Sequence, residues 1–199
     1  MAMKYYNLAM TESVRCAQKQ YYGHAVKIME APERDPLGPA EAEFIATRDS
    51  VYLGTVSERG WPYVQHRGGP KGFLRVLNPS TLAFADYTGN RQLLSTGNIS
   101  VNDRVSLFLM DYTHRERLKI LGHARIEDAR SHPEFVAQVS DSGMHARVER
   151  VVLIDVVSFD WNCPKHITPR YSIEEVEELA EPLRTRIAEL ETQLRSMKT

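Results

Sequence analysis

Cysteine is scarce in this 199-residue chain. Cys16 and Cys163 are the only two, far apart and without a secretory context, which argues against a disulfide scaffold and for a reducing compartment. No apolar stretch is long enough to span a bilayer, and residues 1–10 resemble neither a signal nor a transit peptide. An excess of either charge is missing too. Lysine plus arginine number 25 against 26 acidic residues, so no general nucleic-acid footprint and no electrostatic membrane anchor is expected, and any anionic ligand must be held locally. The expectation is a cytoplasmic protein.

The common chemical signatures are absent as well. No G-x-G-x-x-G follows a strand, and neither G-x-x-x-x-G-K-[ST] nor G-x-S-x-G occurs, which excludes the commonest nucleotide loops and the hydrolase elbow. The seven histidines include no H-E-x-x-H and no close cysteine or histidine pairing, so no metal site is expected. What the chain does have is 42% hydrophobic residues, enough for one substantial core.

Periodicity divides that core mainly into strands. Runs at 51–56, 61–67, 81–85, 105–110, 117–126 and 151–159 are short, rich in β-branched or aromatic residues and bounded by turn residues, which predicts a barrel or sandwich. The first two flank Ser57-Glu58-Arg59-Gly60 and read as a hairpin. Helical spacing predicts an N-terminal helix over 11–31, broken by the prolines of 32–39, and a short helix around Ala42, Phe44 and Ile45. Further helices are expected at 91–99 and 133–139. The fold class is therefore mainly β with helices (α+β). Residues 1–171 form one domain and 172–199 a helical extension. In that extension Ile173, Val176, Ala180, Leu183, Ile187, Leu190, Leu194 and Met197 alternate steps of three and four, a heptad seam. Ser172 and Glu175 cap its start, and Pro182 kinks or restarts it. So narrow a seam needs a partner, either its own barrel or a second copy.

Three polar segments interrupt strands that otherwise read as core. Gln65, His66 and Arg67 lead into a Gly-Gly-Pro-Lys-Gly loop that lets a ligand approach the backbone. Asp86 and Tyr87 run through a tight turn to Asn90, Arg91 and Gln92, where a helix N-terminus beside an arginine suits a phosphate. Alternation puts Arg117 and Lys119 on one face of a later strand. Singly, each is more readily a solvated charge or a helix cap.

Their order, strand, G-G-P loop, strand, D-Y-T-G-N-R, helix, strand, R-L-K-I-x-G, resembles the FMN-binding split-barrel proteins related to pyridoxamine 5'-phosphate oxidase. The resemblance runs from about residue 44 to 126 and resumes near Trp161, with Gly60-Trp61-Pro62-Tyr63 as a further anchor. It implies an FMN-binding split β-barrel acting as a homodimer, with FMN in a groove between subunits and its phosphate on Arg91 and Gln92 after Asn90. It also implies that Gln65, His66, Arg67, Asp86, Tyr87, Arg117 and Lys119 border the groove, with Trp161 and Arg170 as C-terminal counterparts. Gln92 stands where the family has lysine. The function so implied is an oxidoreductase using a small-molecule substrate or an electron donor such as NAD(P)H. The alternatives are a flavin-holding or haem-holding module without turnover and a structural coiled-coil assembly factor. No catalytic residue is assigned.

Overall fold

The computed structural model describes residues 3–89, 91–140, 147–161 and 164–197. Two helices open the chain, α1 (Met3–Ala9) and α2 (Glu12–Tyr22). Thr11 caps α2 by accepting the Val14 N–H, and Gly23, left-handed at φ 74°, ends it by donating to the Lys19 carbonyl. The helix predicted over 11–31 therefore stops well short, because a glycine at this position satisfies the last carbonyls and turns the chain away. α1 was not expected. It is tied down by the buried Asp35 carboxylate, which accepts the backbone N–H groups of Lys4 and Tyr5.

The proline-rich segment leads into α3 (Pro39–Ala46), after which come β1 (Ser50–Val56), β2 (Pro62–Gly68), β3 (Arg75–Asn78) and β4 (Thr81–Tyr87). Then follow α4 (Leu94–Val101), β5 (Arg104–Asp111), β6 (Glu116–Asp128), α5 (Pro133–Val139), β7 (Val148–Trp161) and α6 (Ile173–Ser196). The strands form one antiparallel sheet in the order β2-β1-β5-β6-β7-β4-β3, the mixed α+β architecture of a split barrel. All six predicted strands are present. β3 is an additional four-residue edge strand, too short for alternation to reveal.

Alternation along β1, β5 and β6 sends Leu53, Leu107, Leu118 and Ile120 inward to meet Phe84 and Ile154, and all six are essentially inaccessible. β4 is covered on both faces: Phe84 joins this core, while Ala83 meets Leu153 and Val139 beneath α5. The long β6–β7 pairing shifts register between Leu121 and Gly122. A Cβ on Gly122 would lie 2.7 Å from the Asp155 carbonyl oxygen, so only glycine lets the two strands approach this closely at the bend.

The outer face of β2, β1, β5 and β6 carries His66, Tyr52, Phe108 and Lys119 in one row across the four strands. Beside that row an apolar groove of about 640 Å³ is lined by Tyr52, Val56, Pro62, Val64, Phe108 and Leu121. α6 begins with the predicted capping box, Ser172 and Glu175 exchanging hydrogen bonds of 3.2 and 2.7 Å, and runs unbroken through Pro182. Its seam does not lie on the barrel: Leu183 is 66% exposed and Ile187 56%. Among the described residues no helix is long and apolar enough to cross a membrane.

Candidate functional site

Two cavities occupy opposite ends of β7. The smaller, about 250 Å³, lies where β2, β4, the approach to α4 and the start of β7 converge. Alternation on β2 turns Gln65 and Arg67 toward it and His66 to the outer face, where the imidazole meets Tyr52 edge-on at 5.7 Å. Asp86, 6% exposed, is the hub. One carboxylate oxygen accepts Arg67 Nη1 at 2.7 Å and the other Arg150 Nε at 2.8 Å. Burial disfavours the Arg150 charge, but the bond to Asp86 outweighs this and holds its pKa above the ordinary arginine value. Gln65 is fixed by the Ser95 hydroxyl at 2.6 Å.

Tyr87, Arg91 and Gln92 line the same cavity, whereas Asn90 lies outside the described residues. The approach to the helix differs from expectation. α4 starts at Leu94, not at residue 91, because Arg91 (φ 61°) and Leu93 (φ 54°) both adopt the left-handed conformation and hold the preceding segment open. Non-glycine residues rarely accept this geometry, and such backbone recurs where a ligand is clamped. Arg91 is thus an exposed side chain at the mouth of the cavity, separated from the helix N-terminus.

Three guanidiniums (Arg67, Arg91, Arg150) against two carboxylates (Asp86, Glu149) leave one excess positive charge in this cavity. Arg67 Nε is buried and without a hydrogen-bond partner. This donor set fits a phosphate monoester, whose charge near neutrality is about −1.5 to −2. The volume falls below the roughly 300–1,000 Å³ of a complete ligand pocket, so it suits the phosphate end of FMN and leaves a ring system to lie against another surface.

The larger cavity, about 800 Å³, is at the far end. Trp161 and Arg170 both line it. The indole donates to Glu41 at 2.6 Å and meets Phe44 edge-on, while the Arg170 guanidinium lies 4.7 Å from the Tyr112 ring centre. Its floor is an unanticipated cluster. Arg48 Nη2 is 2.7 Å from Asp111, and Asp111 also accepts from the His114 backbone N–H at 2.8 Å and contacts His114 Nδ1 at 3.1 Å. Burial works to raise the Asp111 pKa, but the His114 bonds and the Arg48 charge outweigh it and hold the carboxyl below its ordinary value; the same bond raises His114.

Lys119 lies on the outer face of β6, 2.9 Å from Asp160 and 4.6 Å from the Tyr5 ring centre. Arg117 is half-buried two residues earlier, on the same face. Trp161 is eleven residues along β7 from Arg150, up to about 36 Å at the usual rise of a strand. The twelve residues named from the sequence therefore separate into Gln65, Arg67, Asp86, Tyr87, Arg91 and Gln92 in one cavity, Trp161 and Arg170 in the other, and His66, Arg117 and Lys119 on the outer sheet face, with Asn90 undescribed. Sequence reading missed Arg150, whose pairing with Asp86 depends on the β4–β7 register, and it missed Arg48, Asp111 and His114. The one local signal the sequence offers for this cluster is the D-x-x-H spacing at 111–114. Among the described residues no group of three or more histidine, cysteine, aspartate or glutamate residues is placed to hold a metal ion.

Comparison with curated proteins gives no match. Among solved structures, the chain is similar to a putative pyridoxamine 5'-phosphate oxidase from Lactobacillus delbrueckii at 24% identity and TM-score 0.48, covering 63% of this chain and 93% of that one. HupZ from Group A Streptococcus matches at 16% identity and TM-score 0.47, over 68% of this chain and 99% of its own. An FMN-binding protein from Syntrophomonas wolfei matches at 9% identity and TM-score 0.42, over 60% and 81%. The pyridoxamine 5'-phosphate oxidase family model matches residues 37–158, more than half of the chain and every residue named in the smaller cavity, and the chain belongs to that family.

Proposed function

We propose that the protein is a cytoplasmic, FMN-dependent oxidoreductase working as a homodimer, with the FMN phosphate in the cavity of Arg67, Arg91 and Arg150. The observation that carries this reading is the excess positive charge of that cavity around a buried, doubly bonded Asp86. Arg67 and Arg150 are already oriented by the carboxylate, so binding a dianion immobilises little besides Arg91. Bound FMN supplies hydride or electron transfer, with NAD(P)H or another small molecule as the other reactant. The chain's own part is to hold the phosphate, position the ring and exclude water.

The second copy enters for a geometric reason. If one flavin uses both the guanidinium cavity and the aromatic surface of Trp161 and Arg170, their separation along β7 requires that the two come from different chains. The apolar groove beside Tyr52 and Phe108 favours such an assembly, since exposed apolar surface of this kind commonly marks an interface.

The absorbance spectrum of the purified protein tests the cofactor: flavin bands that bleach with NADPH or NADH and recover with an acceptor are expected. A Soret band, or no visible absorption, would overturn it. Subunit mixing tests the shared site. Arg91→Ala and Arg170→Ala homodimers should each bind FMN weakly, and unfolding and refolding them together should restore tight binding at about a quarter of the sites, one per heterodimer. Absence of recovery would place both residues in one chain's site or in none.

A further inference from the structure

The seam of α6 is open along its length. With a and d as the two apolar heptad positions, Ile173, Ala180, Ile187 and Leu194 fall at a, and Val176, Leu183, Leu190 and Met197 at d. Isoleucine at two of the four a positions and leucine at two of the four d positions lean toward two strands. Pro182 falls at c, on the side away from the seam, so it does not interrupt the contact surface. The flanking positions are Glu177, Arg184 and Glu191 at e and Leu179, Arg186 and Gln193 at g.

We propose that α6 pairs with α6 of a second copy of this chain, parallel and in register. This rests on the helix alone and does not depend on the flavin reading. Charge selects the direction. In a parallel pair each g residue meets the e residue five positions on in the other helix, which joins Arg186 to Glu191 on both sides and lays Leu179 along the aliphatic stem of Arg184. All eight apolar layers are retained. A fully overlapped antiparallel pair sets Arg184 against Arg184, Arg186 against Arg186 and Glu177 against Glu191, three kinds of like-charge contact. Sliding by one heptad relieves them but uncovers either Leu194 and Met197 or Ile173 and Val176. Within one chain Arg186 already bonds Glu189 at 2.9 Å, but both side chains are more than half exposed, so that pair gives way at little cost.

The test uses the full chain carrying Cys16→Ser and Cys163→Ser, with Leu190→Cys introduced at a d position. Under mild oxidation most chains should form a disulfide-linked dimer, because only a parallel, in-register pair places residue 190 opposite itself. Arg186→Glu should lower the crosslinked fraction at limiting concentration, shifting the association constant by about fivefold, and Arg186→Glu with Glu191→Arg should restore it. Crosslinks found only when Leu190→Cys chains are mixed with Ile173→Cys, Ala180→Cys or Ile187→Cys chains would establish an antiparallel pair and overturn the proposal. No crosslink in any combination, or no recovery in the charge swap, would overturn it as well.

Discussion

The two cavities at the ends of β7 handle charge in opposite ways. At the start of β7, Asp86 is buried and divides its oxygens between Arg67 and Arg150, so the carboxylate orients both guanidiniums, and the cavity keeps one excess positive charge. At the far end, Asp111 also serves a guanidinium, that of Arg48, but its second partner is His114, whose side chain is 71% exposed and whose pKa is raised above its ordinary value by the bond to Asp111. The first arrangement pairs its carboxylate with two guanidiniums. The second changes with pH by construction. A similar local motif, a carboxylate bridging two cationic groups, thus gives a fixed electrostatic clamp at one end and a titratable surface at the other. The difference is the exposure and chemistry of one partner.

The largest expected effect breaks the clamp. Asp86→Ala leaves Arg67, largely buried, without its carboxylate partner and Arg150 with Glu149 alone, and should cost about 3 kcal/mol of folding stability, read from the midpoint of urea unfolding. A loss below about 1 kcal/mol would mean that water or another carboxylate replaces Asp86 and that the clamp is not rigid. Next comes Arg91→Ala. Since Arg91 is exposed and contributes nothing to the core, stability should hold while FMN affinity falls by about 2 kcal/mol, roughly 30-fold. If titration of FMN into the folded variant gives unchanged affinity, the phosphate does not sit on Arg91. Truncation after Tyr171 should leave FMN affinity within about twofold of the full chain, because α6 is exposed and contacts the barrel chiefly through Glu175 and Thr113. A large loss of affinity would place the tail over the groove.

The strands and the turn after β4 were legible because both rest on local rules: period-two alternation in 51–56 and 105–110, the Ser57–Gly60 turn, and the polar residues that break the Phe84–Tyr87 strand. The helix ends were less so. Gly23 ends α2, although helical spacing continued past it to Ile28, and the left-handed Arg91 and Leu93 delay α4, a backbone choice that side-chain periodicity does not report. Contacts across long sequence separations were invisible. Asp86 meets Arg150 only because the β4–β7 register brings them together, and one residue of slip would reverse both side chains; Trp161 meets Glu41 only because α3 lies against the end of β7. The same alternation explains why His66 parts company with Gln65 and Arg67, which a contiguous reading of the segment could not separate.

The smallest predicted effect is the pH dependence of the far end, and its sign follows from the two shifts. His114 has its pKa raised, chiefly by its bond to Asp111, so its contribution to stability is fully present below its ordinary value of 6.5 and is lost as pH rises through the higher folded value. For Asp111, burial opposes ionisation but the bonds from His114 and Arg48 prevail. Its lowered pKa makes its contribution fully present above 3.8 and lost as pH falls through the depressed folded value. The pair is therefore most effective between about pH 3.8 and 6.5, where both partners are charged. Exposure of His114 lets solvent screen the attraction, so the difference in unfolding free energy between the natural protein and His114→Gln should stay below about 1 kcal/mol near pH 6. It should shrink toward zero by pH 9. A His114→Gln deficit that grows with pH would reverse the sign and show that the neutral imidazole, not the imidazolium, is the form that Asp111 holds.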